Sequence, residues 1–214
     1  MVLIRLCKVV RFAAVLVLLL SVPCGHAQTL TNGAAEATTS EYEVFSANIA
    51  HYFVGKAAKE RIGLPVSQIV IVDTTEYDES EIVEDTSWEQ IQHYLHRQVP
   101  SLQPSTINTF RQMNRKQAHL RPSFDLPLHY ELVSASKIDS ILHDISSWPE
   151  YYKQYPASQG FLVLSRVGFS PEGKQAIFYA RNNCGGKCAT GSFAVMEKRG
   201  TAWTVVKEVI LWMS

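Results

Sequence analysis

Cys184 and Cys188 bracket Gly185-Gly186-Lys187, between two runs with strand character. A three-residue turn there would set the two cysteines opposite each other, about 4.5–5.5 Å apart and within disulfide reach. The glycines are expected to supply the positive φ of such a turn. Closing so short a loop stabilises by only about 2 kcal/mol on a chain-entropy model. A redox-active dithiol competes with this reading, but its motif has two residues between the cysteines and this chain has three. A metal site competes less well, because two thiolates need further ligands and no second pair of this kind exists. A structural disulfide, Cys184–Cys188, is the expectation.

Other residues carry weaker chemistry. Asp139 and His143 stand four apart, and a carboxylate can orient an imidazole for acid–base work. They are the acid/base candidates, although no G-x-S-x-G nucleophile accompanies them. Ser165 and Ser170 carry no mark of activation. His93 and His96 can share a helix face, yet there is no H-E-x-x-H pattern. Asp73, Asp78, Glu79, Glu81, Glu84 and Asp85 lack the spacing of a calcium loop, so a solvated acidic loop is expected. No metal site and no cofactor follow from these patterns. Trp148, Tyr151, Tyr152 and Tyr155 form an aromatic cluster. Trp203 and Trp212 have opposite parity on one strand-like run and should point to opposite faces. An exposed aromatic patch binds sugars or peptides, which makes Trp148, Tyr151, Tyr152 and Trp212 the candidate binding residues. Core packing is the competing and commoner fate of such rings.

These residues need elements to hold them. Glu41 to Arg61 has helical apolar spacing, with Ser40 as N-cap, Glu43 closing a capping box and Gly63 with Pro65 ending the helix. Gln68 to Asp73 is apolar on both faces and reads as a buried strand. Ser87 to Gln98 and Ser105 to Ala118 read as amphipathic helices, separated by Pro100 and Pro104. Leu128 to Val133 reads as a strand. Lys137 to His143 and Trp148 to Tyr155 read as short helices, the latter with Pro149 in its first turn. Phe161 to Phe169, Gln175 to Arg181, Ser192 to Lys198 and Trp203 to Trp212 are strand-like. They are separated by short glycine-containing turns, and together they predict an antiparallel meander. The predicted fold class is therefore α+β, with N-terminal helices on one side of a mainly C-terminal antiparallel sheet that strand 68–73 joins.

The N-terminus predicts export. Arg5, Lys8 and Arg11 precede the apolar run Phe12 to Leu20, and Gly25 and Ala27 occupy the −3 and −1 positions of a cut before Gln28. The run is far shorter than the roughly 20 residues of a membrane anchor. Pro23 before Cys24 disfavours lipidation of that cysteine. Residues 1–27 then form a signal peptide, 28–40 a flexible leader and 41–214 a single domain. Removing the signal takes three basic residues and no acidic ones from 20 of each. That leaves 17 against 20, a net charge of −3. So small a charge gives no footprint for nucleic acid, and no second hydrophobic segment predicts stable membrane insertion. A hydrophobic content of 46% is enough for a packed core.

The C-terminal segment also resembles a group of exported bacterial proteins of unknown function. The residues that carry the resemblance are Ser165-Arg166-Val167-Gly168-Phe169, Gln175-Ala176 with Tyr179, Cys184-Gly185 with Cys188 and Gly191, Trp203, and the terminal Trp212-Met213-Ser214. It spans Phe161 to the end and implies export, periplasmic or extracellular, with a hairpin-rich sheet. It implies no activity. The leading functional expectation is a non-enzymatic module for a small ligand or a protein partner. The alternatives are a hydrolase with a His/Asp site built from separate loops, and a thiol-dependent redox protein.

Overall fold

The computed structural model describes residues 35–54, 66–77 and 87–214. The signal segment, the C-terminal end expected for the first helix and most of the acidic loop lie outside the described residues. Gly33–Ser214 form one compact unit.

A short strand β1 (Ala35–Glu36) runs parallel to β3 (Ala118–His119), so the end of the expected leader belongs to the fold. Helix α1 (Thr39–Phe53) starts earlier than expected. Its N-cap is Thr38 with Glu41 three residues on, not Ser40 with Glu43. Both pairs have the right spacing. The Thr38 box wins because Glu41 is also held by Arg166 and the Val167 amide. Strand β2 (Gln68–Val72) follows, then α2 (Trp88–Gln98) with Trp88, Ile91 and Leu95 buried on one stripe. Helix α3 (Pro104–Met113) ends short of the expected Ala118. Asn114 caps it and exchanges two hydrogen bonds with the Arg166 backbone, of 2.8 and 3.0 Å, instead of continuing the helix. Next come β4 (His129–Val133), α4 (Ala135–Ile141), a 3₁₀ turn at Ile145–Ser147, and α5 (Trp148–Gln154). The chain finishes with β5 (Ser158–Leu164), β6 (Gly168–Phe169), β7 (Gln175–Gly185), β8 (Cys188–Arg199) and β9 (Ala202–Met213).

The main sheet has seven strands in the order β4-β2-β5-β7-β8-β9, with β6 also on β7. The α+β class holds, and β5, β7, β8 and β9 form the expected meander. The sheet is mixed, however, not purely antiparallel: β2 runs parallel to both β4 and β5. The connections explain the difference. Short glycine turns reverse the chain, whereas β2 to β4 and β4 to β5 pass through helices that carry it back over the sheet.

Those helices also change the expected layering. Helix α1 covers one face, packing Phe45 and Ile49 on Ile69, Ile71, Leu164 and Phe178. The other face is covered by α2 and α3 at one end and by α4 and α5 at the other. With helices on both sides, β2 is buried on both faces, as its unbroken QIVIV run predicts. Helix α1 is clamped to the sheet by an ion pair. Glu41 is fully buried and accepts from Arg166 Nε at 2.7 Å and Nη2 at 2.9 Å.

The β7–β8 hairpin differs in detail from the expectation. Gly185 pairs with Cys188, so the loop is Gly186-Lys187, and Cys184 is the extra residue of a bulge. Cys184 and Cys188 are joined as a disulfide with Cα atoms 5.1 Å apart. Neither Gly185 nor Gly186 takes a positive φ. Gly186 is instead a point of close approach, where an added Cβ would lie 2.4 Å from the Ile145 side chain.

Candidate functional site: a cleft between the first helix and the sheet

Helix α1 does not cover its face of the sheet to the end. Beyond Phe178 and Ala194 the face changes from large apolar residues to Ala180, Asn182, Thr190 and Ser192. Small and polar side chains cannot fill the space beneath the last turn of the helix. A cleft of about 230 Å³ remains there, toward the disulfide end of the β7–β8 ribbon. Its apolar walls include Tyr52 and Phe53 of α1, Leu162 and Leu164 of β5, and Ile210 and Met213 of β9.

The polar groups come from every neighbouring element. Asn48 descends from α1 on the stripe shared with Tyr52, four residues on. It is only 4% exposed, and its Nδ2 has no hydrogen-bond partner among the described residues. Asn182 of β7 has a buried Oδ1 in the same condition. A buried polar atom without a partner costs about 1–3 kcal/mol, so two lining one cleft are unusual. Ser192 of β8 donates to Glu208 Oε1 of β9 at 2.6 Å.

Glu208 faces the cleft because β9 is irregular. Pairing with β8 slips by one residue between Val195 and Met196 and again between Gly191 and Ser192, leaving Val206 and Leu211 unmatched. Each bulge reverses the face on which the following residues point. Between them, Glu208 pairs with Ala194 and shares its face, the α1 face, while Lys207 is turned to the other side with Val195. Simple alternation from Trp203 would have done the opposite. The second bulge restores the original phase. Trp203 and Trp212 therefore do point to opposite faces, Trp203 beside Phe169 and Trp212 donating to the Tyr179 hydroxyl at 2.9 Å.

Burial pushes the Glu208 carboxyl up to about 7. Close to neutrality it can act in two ways: protonated, it donates a hydrogen bond; ionised, it accepts one or pairs with a cation. Among the described residues no lysine, arginine or histidine lines the cleft. No family model, no curated protein and no solved structure matches the chain. Function must therefore be read from the chemistry of the site.

None of the site residues singled out from sequence lines the cleft. Tyr151 is fully buried beneath the sheet, and Trp148 stacks on Phe161. The Tyr152 hydroxyl donates to the Cys184 carbonyl at 2.8 Å, tying α5 to the disulfide hairpin. Trp212 packs over Gly191, where an added Cβ would meet its indole nitrogen at 2.4 Å. Asp139 and His143 are both exposed, and no hydrogen bond joins them. His143 instead approaches Ser147 Oγ, at 3.4 Å from Nδ1 and 3.3 Å from Nε2, with Asp144 Oδ2 3.9 Å from Nε2. This trio is not a relay. Ser147 is nearly equidistant from both ring nitrogens and donates to Asp144 itself at 3.1 Å, so the imidazole does not sit between acid and hydroxyl. His93, His96, His119 and His129 are exposed and none lines the cleft. Among the described residues no three metal-ligating side chains converge, and no helix is long and apolar enough to cross a membrane.

Sequence reasoning missed Asn48, Asn182, Ser192 and Glu208. One signal was present. Lys207 and Glu208 are adjacent charges in an apolar strand, and neighbours on a strand point to opposite faces. In a sheet covered on both sides, one of them must turn inward.

Proposed function

We propose that this chain is an exported, non-enzymatic module that binds a small amphiphilic molecule in the cleft beneath α1. The observation that carries the reading is the combination of apolar walls with the converging polar groups of Asn48, Asn182, Ser192 and Glu208. The size limits the occupant. The cleft, at about 230 Å³, lies between an apolar cavity of roughly 150 Å³ that admits benzene and the 300 Å³ or so where drug-sized pockets begin. It suits one ring or a medium alkyl chain with a polar head, not a nucleotide or a full lipid.

Exposed, dispersed histidines favour this reading over the hydrolase alternative. The Cys184–Cys188 disulfide suits an oxidising compartment and a structural role, and so favours it over the thiol-dependent one. Export rests on the N-terminal signal pattern and the resemblance of the C-terminal segment. Intact-mass measurement of protein collected after export should give a chain that starts at Gln28.

Calorimetric titration with octan-1-ol tests the cleft. Saturable binding is expected for the native chain. It should be lost in Ala180→Leu, which fills the floor while the protein remains folded. Equal binding by both proteins, or by neither, would overturn the reading.

A further inference from the structure

We propose that the occupant of this cleft is a small amphiphile bearing a protonated amine, which the Glu208 carboxylate receives while the apolar walls hold its body. This rests on the cleft being a ligand site and names the ligand's charge. The argument is one of complementarity. Glu208 is a carboxyl group drawn out of water; among the described residues Ser192 is its only hydrogen-bond partner and it has no ion pair. The cleft is lined from α1, β5, β7, β8 and β9, yet among those residues only Glu208 and Tyr52 titrate. His51 lies beyond Tyr52, its ring centroid 5.6 Å from that of the phenol. Among the described residues the walls therefore offer one potential negative charge and no positive one.

A ligand carboxylate would meet a like charge. An alcohol would be accepted, but only as a hydrogen-bond partner. An ammonium brings the missing countercharge into a partly dry site, where attraction is stronger than in water. It also brings three donors. Acceptors stand ready in Glu208 and in the lone pairs of Ser192 Oγ, and Asn182 of the same wall holds a buried Oδ1 without a partner among the described residues. The upward shift of the carboxyl agrees: burial alone raises it to about 7, and a bound cation would draw it back down.

Octylamine, octan-1-ol and octanoate share one chain and differ in the head, and their titration at about pH 8.5 and about pH 5.5 separates the possibilities. At the higher pH the amine should bind at least about tenfold more tightly than the alcohol, as a charge-assisted contact implies, and octanoate more weakly than either. At the lower pH the amine's advantage should shrink toward parity, because Glu208 is then protonated. Glu208→Gln should remove the amine's advantage over the alcohol at both values, and a far-ultraviolet circular dichroism spectrum like that of the native chain shows that the variant is folded. If the alcohol binds and the amine does no better, or Glu208→Gln keeps the preference, the amine assignment falls while the cleft survives as a site. If none of the three binds, the cleft reading itself fails and the assignment falls with it.

Discussion

At the scale of single residues, two carboxylates on the α1 face show opposite outcomes of burial. Burial raises the Glu41 carboxyl, but Arg166 and the amides of Thr38 and Val167 outweigh it and hold the group below its usual value. Its contribution to stability is present above the unfolded carboxyl pKa and lost as pH falls through the folded one. Arg166→Met leaves that carboxylate uncompensated in the core, and urea unfolding should show a loss of about 3–5 kcal/mol. The double variant Glu41→Leu/Arg166→Met should recover part of the loss, since no lone charge is then buried. A double variant as unstable as the two single changes added together would contradict this account. Glu208 has no such partner among the described residues. Its folded pKa of about 7 lies above the ordinary 4.5, so its protonated form favours folding at low pH, and that contribution fades as pH rises through 7. Glu208→Gln does not titrate. Relative to the native chain it should therefore gain stability between about pH 5 and pH 8, by no more than about 2 kcal/mol after allowance for solvent at the cleft mouth. Denaturant midpoints that differ by the same amount at both pH values would rule out a desolvated carboxyl.

At the scale of elements, close backbone approach fixes positions where the sheet accepts no side chain. Gly160, the third residue of β5, has φ +75°, and an added Cβ would lie 1.8 Å from the Asn183 carbonyl oxygen of β7. Gly160→Ala should thus cost about 3 kcal/mol or more through strain and clash together, read as a lowered urea midpoint. An alanine variant of native stability would show that β5 can shift away from β7. Gly168 has a similar duty toward Phe110, where α3 crosses β6. The bulges of β9 matter differently. They break the regularity of an edge strand, which hinders pairing with another chain, and they turn Glu208 inward. Much of this scale was legible. Helix α2 runs Trp88–Gln98 where Ser87 to Gln98 was expected, Pro149 sits in the first turn of α5, and glycine turns bound the meander. The bulges were not legible, because a slip in pairing depends on both strands and alternation within one strand cannot reveal it.

At the scale of the molecule, three hydrophobic clusters on two faces of one sheet hold the fold, and the disulfide adds to them only at a hairpin tip. A double Cys184→Ser/Cys188→Ser variant should keep its far-ultraviolet circular dichroism and lose about 2 kcal/mol. For a domain of this size that lowers Tm by roughly 4–8 °C. Loss of the folded state at room temperature would mean that the bridge organises more than its own turn.

The amino-acid sequence by itself determined most of the helices and longer strands, the meander, the buried character of β2 and the pairing of the cysteines. Each follows from spacing or turn chemistry within a short stretch of chain. Tertiary structure alone decided that helices cover both faces and that β2 lies between two parallel partners. It also decided that α1 leaves a cleft over Asn182, Ser192 and Glu208. These depend on which distant segments meet. Asn48 and Glu208 are 160 positions apart in the chain, and nothing local to either residue records the other.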